Sequence, residues 1–176
     1  MKLLKTSFFV LFFSLILNSA NAQGWGVRAG VNFSTLSSSD ADPQIGAYAG
    51  LYKQFGIVPK ILFIQPEVQY SKQGFDTDAK NYDLHYIQVP IVAKLYFLKI
   101  ISVETGPQFG FLVNDNIDDL DGFEVNTFDP AWNFGLNFNL PLGLSIGARY
   151  IASFNDLVDN SGSKNQVIQV GAGLKF

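Results

Sequence analysis

Five charged residues are distinguished by where they fall. Arg28, Glu67, Lys94, Glu104 and Arg149 each sit on the polar side of a stretch in which apolar and polar residues alternate. Three cations and two anions facing one enclosed interior could select ions or relay protons, or they could pair off and plug it. Unpaired charge away from water is very costly, so in a narrow interior the plug is expected. Histidine chemistry has a single candidate, His85, which excludes a multi-histidine metal site. Serine nucleophilic catalysis would need that imidazole within hydrogen-bond reach. The nearest serine, Ser71, shares parity with Glu67, whereas His85 shares parity with Ile87, so in extended chain the two point to opposite faces. No enzyme is expected. An acidic stretch holds Asp115, Asp118, Asp119, Asp121, Glu124 and Asp129. Asp119, Asp121 and Gly122 resemble part of an EF-hand loop, but in that register the first ligand position is Ile117 and the last is Phe128. A solvated acidic loop is expected, with loose divalent-cation binding left open.

The elements that must position these residues are strands. Residues 24–33 place Trp25, Val27, Ala29, Val31 and Phe33 on one face and Arg28 and Asn32 on the other. Residues 45–55 are rich in Gly and Tyr and their facing is ambiguous. Residues 61–73 set Leu62, Ile64 and Val68 against Gln65, Glu67 and Gln69. Residues 84–97 set Ile87, Val89, Ile91 and Leu95 against Gln88 and Lys94, and residues 101–112 set Val103, Phe109 and Phe111 against Glu104 and Gln108. Trp132 to Leu140 alternate most cleanly, and Leu144, Ile146, Ala148 and Tyr150 oppose Ser145, Gly147 and Arg149. The stretch 166–176 places Ile168, Val170, Ala172, Leu174 and Phe176 on one face and makes an eighth strand. Connectors at 56–60, 98–100 and 141–143 are short; those at 34–44, 74–83, 113–129 and 155–164 are longer and polar. If 98–100 is a three-residue hairpin loop, Phe97 faces Ile101 and Lys94 lies opposite Glu104, which predicts an ion pair between them.

The N-terminus reads as a signal peptide of residues 1–22. Lys2 and Lys5 precede the apolar run Phe8 to Leu17, and Ala20-Asn21-Ala22 is an A-x-A cleavage site. Ten apolar residues fall short of the roughly 20 that span a bilayer as a helix. The mature domain, 23–176, would then carry a formal charge of −5 rather than −3, since Lys2 and Lys5 are lost. A mild acidic balance argues against nucleic acid as a partner. There is no Cys, so disulfides and a lipid-anchored lipoprotein are excluded. Aromatic content is 15%, with 17 Phe, and the apolar faces are large and aromatic while the opposite faces mix Gly, Asn, Gln and single charges. A soluble carrier barrel would turn its apolar face inward and charge its exterior. Here the pattern is inverted, as in a membrane barrel, which must close because lipid satisfies no backbone hydrogen bonds. The expected fold is therefore all-β: an eight-stranded antiparallel, up-and-down transmembrane barrel. Long loops would lie outside the cell and both mature termini in the periplasm. Trp25 and Phe176 at one end and Trp132 at the other would form interfacial girdles. A terminal strand ending on Phe, with Val170, Ala172, Leu174 and Phe176 aligned, is also the type of signal read by outer-membrane assembly machinery. With no domain after Phe176, no peptidoglycan tether is expected.

A resemblance sharpens this reading. Leu62-Phe63-Ile64-Gln65-Pro66-Glu67-Val68-Gln69-Tyr70-Ser71-Lys72-Gln73-Gly74 resembles the "LQPELxYSxKG" signature of small outer-membrane barrels common in Bacteroidota. Tyr86-Ile87-Gln88-Val89-Pro90-Ile91-Val92-Ala93-Lys94 is similar to "YLxIPLLxK" of the same family, and Ser102 to Pro107 and Ala148-Arg149-Tyr150 also fit. The chain resembles the porin-family, PorT-like outer-membrane barrels, related in fold to OmpA and OmpX. The resemblance implies eight strands. No cofactor is expected, and outer-membrane lipids and lipopolysaccharide are the expected surroundings. Most such proteins have no assigned activity. A structural or surface-interaction role is expected, with a narrow porin or a subunit of a secretion or envelope-assembly complex as alternatives.

Overall fold

The computed structural model describes residues 24–36, 42–76, 81–115, 127–156 and 164–176. Nearly all of them are strand: β1 (Trp25–Leu36), β2 (Asp42–Lys53), β3 (Phe55–Val58), β4 (Leu62–Asp76), β5 (Asn81–Tyr96), β6 (Ile101–Asp115), β7 (Phe128–Asn139), β8 (Leu144–Asp156) and β9 (Lys164–Lys175). One 3-10 turn, Pro141–Gly143, joins β7 to β8. β2 and β3 are two segments of one barrel strand, interrupted at Gln54, and both pair with β4. Each strand is antiparallel to its neighbours in sequence, and β1 pairs with β9 from Gly26↔Lys175 to Leu36↔Asn165. That last pairing closes the sheet into the eight-stranded barrel the alternation predicts. Closure leaves no unpaired edge, the condition for strands in lipid.

Short turns gather at one end. The Phe97 amide donates to the Ile101 carbonyl at 2.9 Å, so the loop between β5 and β6 has the expected three residues. The short turns force unusual backbone: Lys60 (φ 66°), Leu98 (φ 33°) and Leu142 (φ 63°) all adopt positive φ, and Gly143 (φ 79°) accompanies Leu142. The first short connector is tighter than 56–60, because β3 carries Gly56 through Val58 into pairing with β4. Strands also run further than expected at the long-loop end, to Leu36, Asp76, Asp115 and Asp156. Pro66 and Pro90 lack amide donors, and the β4–β5 ladder skips from Pro66↔Ile91 to Gln69↔Gln88. Glu67 sits in that gap.

Burial is inverted relative to a soluble protein. Phe134, Leu136, Phe138, Ile146 and Val170 are exposed on the outside, whereas Asn32, Gln65, Gln69, Gln88, Gln108 and Asn133 are almost wholly buried inside. The ambiguous second strand resolves with Tyr48 and Tyr52 inward and Ile45 and Leu51 outward. Inner-face glycines make room for these side chains. A Cβ on Gly26 would meet the Tyr52 ring at 2.2 Å, and one on Gly171 would meet the Tyr48 hydroxyl at 2.4 Å. The lumen is not uniformly polar. Towards the long loops, Ala131, Ile151 and Val167 form an apolar cluster, and Leu84 and Tyr86 are also buried. The sequence signal was present: in Tyr150-Ile151-Ala152 and Leu84-His85-Tyr86-Ile87 neither parity is purely polar.

Candidate functional site

All five charged residues of the polar faces reach the lumen. Arg28 comes from β1, Glu67 from β4, Lys94 from β5, Glu104 from β6 and Arg149 from β8, each 7% exposed or less. They lie in the half of each strand nearer the short turns. Glu104 is the hub. It accepts from Arg28 Nη1 (3.0 Å) and Nη2 (3.4 Å), and from Arg149 Nε (2.9 Å) and Nη2 (2.7 Å). Arg149 also bridges to Glu67, with Nη2 at 2.8 Å from Oε1 and Nη1 at 3.2 Å from Oε2. Arg28 Nη1 lies 3.6 Å from Glu67, and its Nη2 donates to Asn137 Oδ1 at 3.2 Å. Two glutamines complete the Glu67 shell: Gln65 Nε2 donates to it at 2.6 Å, and Gln69 Nε2 donates to its other oxygen. Gln54 in turn donates to Gln65 at 2.6 Å.

This geometry corrects the expected ion pair. The register does place Lys94 opposite Glu104, but the carboxylate is taken by the two arginines. The Lys94 ammonium instead lies 5.5 Å from the centroid of the Tyr96 ring. The physical reason is reach and shape. Arginine presents a planar fork of donors that grips a carboxylate in two places, while lysine is a single point charge. In a lumen this narrow, an arginine from across the barrel competes with the lysine next door. The remaining space at the cluster is about 10 Å³, bordered by Arg28, Tyr48, Glu104, Asn137 and Arg149. That is room for about one water. As arranged, the cluster ties β1, β4, β6 and β8 together across the lumen.

Other candidates lie elsewhere. His85 is on the outer face, stacked on Tyr70 with ring centroids 5.9 Å apart, and its Nδ1 is hydrogen-bonded to the Tyr70 hydroxyl at 2.6 Å. Ser71 is inside, accepting from Asn32 (2.8 Å) and Gln73 (2.9 Å). The two therefore face opposite ways. Next to the stack, Lys72 and Asp83 form an outer ion pair at 2.8 Å. Trp25 and Phe176 are exposed at the short-turn end, where the Phe176 amide donates to the Trp25 carbonyl at 2.8 Å. Trp132 faces outward in the long-loop half, its indole N–H donating to Thr105 at 2.8 Å. Val170, Ala172 and Leu174 share the outer face of β9, and Phe176 follows it, exposed. Asp118, Asp119, Asp121 and Glu124, like the 1–22 segment, lie outside the described residues. Asp129 is described, and faces inward at the long-loop end, accepting from Ser153 at 2.8 Å. Among the described residues no cluster of His, Cys, Asp and Glu is arranged to hold a metal.

Residues 18–159 match the sequence profile of a family described as the outer membrane protein beta-barrel domain. No curated protein sequence matches. Solved structures share the architecture at low identity. Ail, the attachment invasion locus protein of Yersinia pestis, in complex with the heparin analogue sucrose octasulfate, is 18% identical. It aligns over 88% of this chain and 99% of its own, with a TM-score of 0.57. Neisserial surface protein A is 12% identical over 90% of this chain and 100% of its own, with a TM-score of 0.57. The outer membrane enzyme PagL is 13% identical over 87% of this chain and 99% of its own, with a TM-score of 0.55.

Proposed function

Because the chain belongs to the outer membrane protein beta-barrel domain family, we propose that it is a non-catalytic integral barrel that works through its loops. Its lumen serves as structure. One observation carries this reading: Arg28, Glu67, Glu104 and Arg149 close the lumen with mutually satisfied charges. A barrel sealed in this way has its exposed loops and its outer face left for interaction. The four long connectors face the outside of the cell, and the short turns and both mature termini face the periplasm, following the usual loop asymmetry of such barrels. The segment 1–22 is removed after Ala22. Trp25, Trp132 and Phe176 anchor the barrel at the two interfaces, and Val170, Ala172, Leu174 and Phe176 present the terminal strand to the assembly machinery. Lipids and lipopolysaccharide surround the outer face. The likeness of 62–74 and 86–94 to PorT-like barrels supports placing the chain among them.

Architecture alone does not decide against catalysis, since PagL is an enzyme with this fold. The argument against it is local. Ser71 lies inside and His85 outside, so the imidazole cannot take the hydroxyl proton.

The test is photo-crosslinking in cells from position 119, in the third long loop, and position 58, at the end of β3 beside the first short turn. Lipopolysaccharide or a surface ligand captured from 119, with no protein captured from 58, is the expected result. A discrete periplasmic protein captured from 58 would overturn the reading in favour of an assembly subunit. Altered lipid A on deletion of the protein, restored by wild type but not by His85→Ala, would overturn it in favour of an enzyme.

A further inference from the structure

The charges that face the short-turn half of the lumen do not cancel. Arg28, Lys94 and Arg149 are positive, and Glu67 and Glu104 are negative. Among the described residues the next inward acid, Asp129, lies six residues along β7 from Gly135, the register partner of Glu104. At about 3.4 Å per residue that is roughly 20 Å away. Both nearby carboxylates are gripped by the arginines, and Lys94, only 2% exposed, is attracted by Glu104 across the strand pair but makes no ion pair with either. A buried cation without a directly paired counter-charge is costly, and a bound anion relieves that cost.

A place for the anion adjoins it. A cavity of about 250 Å³ opens at the short-turn end, and Lys94 borders its inner part. Lys99 from the turn after β5 and Lys175 from the end of β9 also line it. Tyr52 and Asn139 add a hydroxyl and an amide, the Gln54 amide being spent on Gln65 and Tyr96, and no carboxylate side chain is among the lining residues. Three lysines from two different parts of the chain thus border one cavity. The Arg–Glu cluster closes the far side, so a ligand entering here would be held and not passed through.

We propose that this vestibule binds a phosphate-bearing anion. Lysine ammonium groups act on phosphate as point charges, and tyrosine and amide donors can take the remaining oxygens. The volume suits a phosphate with a small ester such as glycerol. That chemistry is shared by soluble phosphate esters and by phospholipid headgroups at the membrane surface. The site stands apart from the loop-based role proposed above and depends on that reading only for which compartment its mouth faces.

Two arms separate the sources. In the first, the refolded barrel in zwitterionic detergent is titrated with glycerol 1-phosphate, followed by ligand-observed phosphorus NMR. In the second, the barrel is reconstituted with phosphatidylglycerol or with phosphatidylcholine, and retained lipid is counted by native mass spectrometry. Saturable binding of one phosphate group per barrel is expected in at least one arm, the first indicating a soluble ester and selective retention of phosphatidylglycerol a headgroup. Lys94→Met should weaken binding tenfold or more, and Lys60→Met, at an exposed turn outside the cavity, should leave it unchanged. Should Lys94→Met not fold, the double variant Lys99→Met/Lys175→Met, at exposed positions, gives the same reading. No binding in either arm, or binding indifferent to these vestibule substitutions, would overturn the proposal. Neither result would bear on what the opposite loops contact.

Discussion

Replacing Glu104 with glutamine removes the hub of the lumen cluster with almost no change in shape. The side chain is 2% exposed and accepts four donor contacts, at 3.0 and 3.4 Å from Arg28 and at 2.9 and 2.7 Å from Arg149. The two arginines do not suffer equally. Arg149 keeps its two bonds to Glu67, at 2.8 and 3.2 Å. Arg28 is left with Glu67 at 3.6 Å and the Asn137 amide oxygen at 3.2 Å. One guanidinium therefore becomes a buried charge without a hydrogen-bonded carboxylate, which costs about 3–5 kcal/mol. At about 1.4 kcal/mol per tenfold change, this lowers the folded-to-unfolded ratio by roughly two to four powers of ten. The assay is urea unfolding in phospholipid vesicles, read by the fluorescence of Trp25 and Trp132 and by heat-dependent gel mobility. The double variant Glu104→Gln/Arg28→Met removes the orphaned cation as well, so its cost should fall short of the sum of the single costs by about 2 kcal/mol. A Glu104→Gln loss under about 1 kcal/mol would refute the reasoning. So would strict additivity with Arg28→Met, or rescue of Glu104→Gln by Lys94→Met in place of Arg28→Met.

Three further outcomes test separate parts of the structure. Leu136→Arg, on the outer face between Phe134 and Phe138, should cost about 2–4 kcal/mol in vesicles, as cations near the bilayer midplane do; Leu142→Arg, 95% exposed in its turn, should stay within about 1 kcal/mol, and equal costs would contradict a lipid-facing band. Gly106→Ala would set a Cβ 2.2 Å from the Ile91 carbonyl oxygen and 2.9 Å from Val92 Cα, both backbone of the adjoining strand. About 1–3 kcal/mol of destabilisation by overpacking is expected from the same unfolding assay. Planar-bilayer recordings of the refolded wild type should show no steady ion current, because the space left at the cluster holds about one water; Glu67→Ala/Arg149→Ala should admit current, and a steadily conducting wild type would remove the plug.

Much of the barrel is legible residue by residue because strand parity is local. Arg28 against Val27, Glu67 against Val68 and Arg149 against Ala148 face as their alternation says they must. The three-residue loop after Phe97 likewise places Lys94 opposite Glu104. Less legible is the stretch around Tyr48 and Tyr52, where glycines and tyrosines carry no clear amphipathic signal. Those tyrosines point inward because lumen glycines such as Gly26 and Gly171, on other strands, leave space for them. The apolar cluster of Ala131, Ile151 and Val167 is hidden for a related reason. Where both faces of a strand are apolar, alternation no longer distinguishes lipid from lumen.

Wherever polar and apolar residues alternate clearly, the sequence by itself determined which side chains enter the lumen and which meet the outside, because a period of two is decided by each strand alone. It also determined the partner across each short turn, since those three connectors are too short to permit any other pairing. Only the tertiary structure decided which charges meet. Arg28 and Glu104 are 76 residues apart and on strands that do not pair with each other, so no hairpin register brings them together. Closure of the barrel does, by folding opposite walls to within one side chain's reach. There the forked guanidinium outcompetes the adjacent ammonium, and Lys94 is left at the edge of a vestibule.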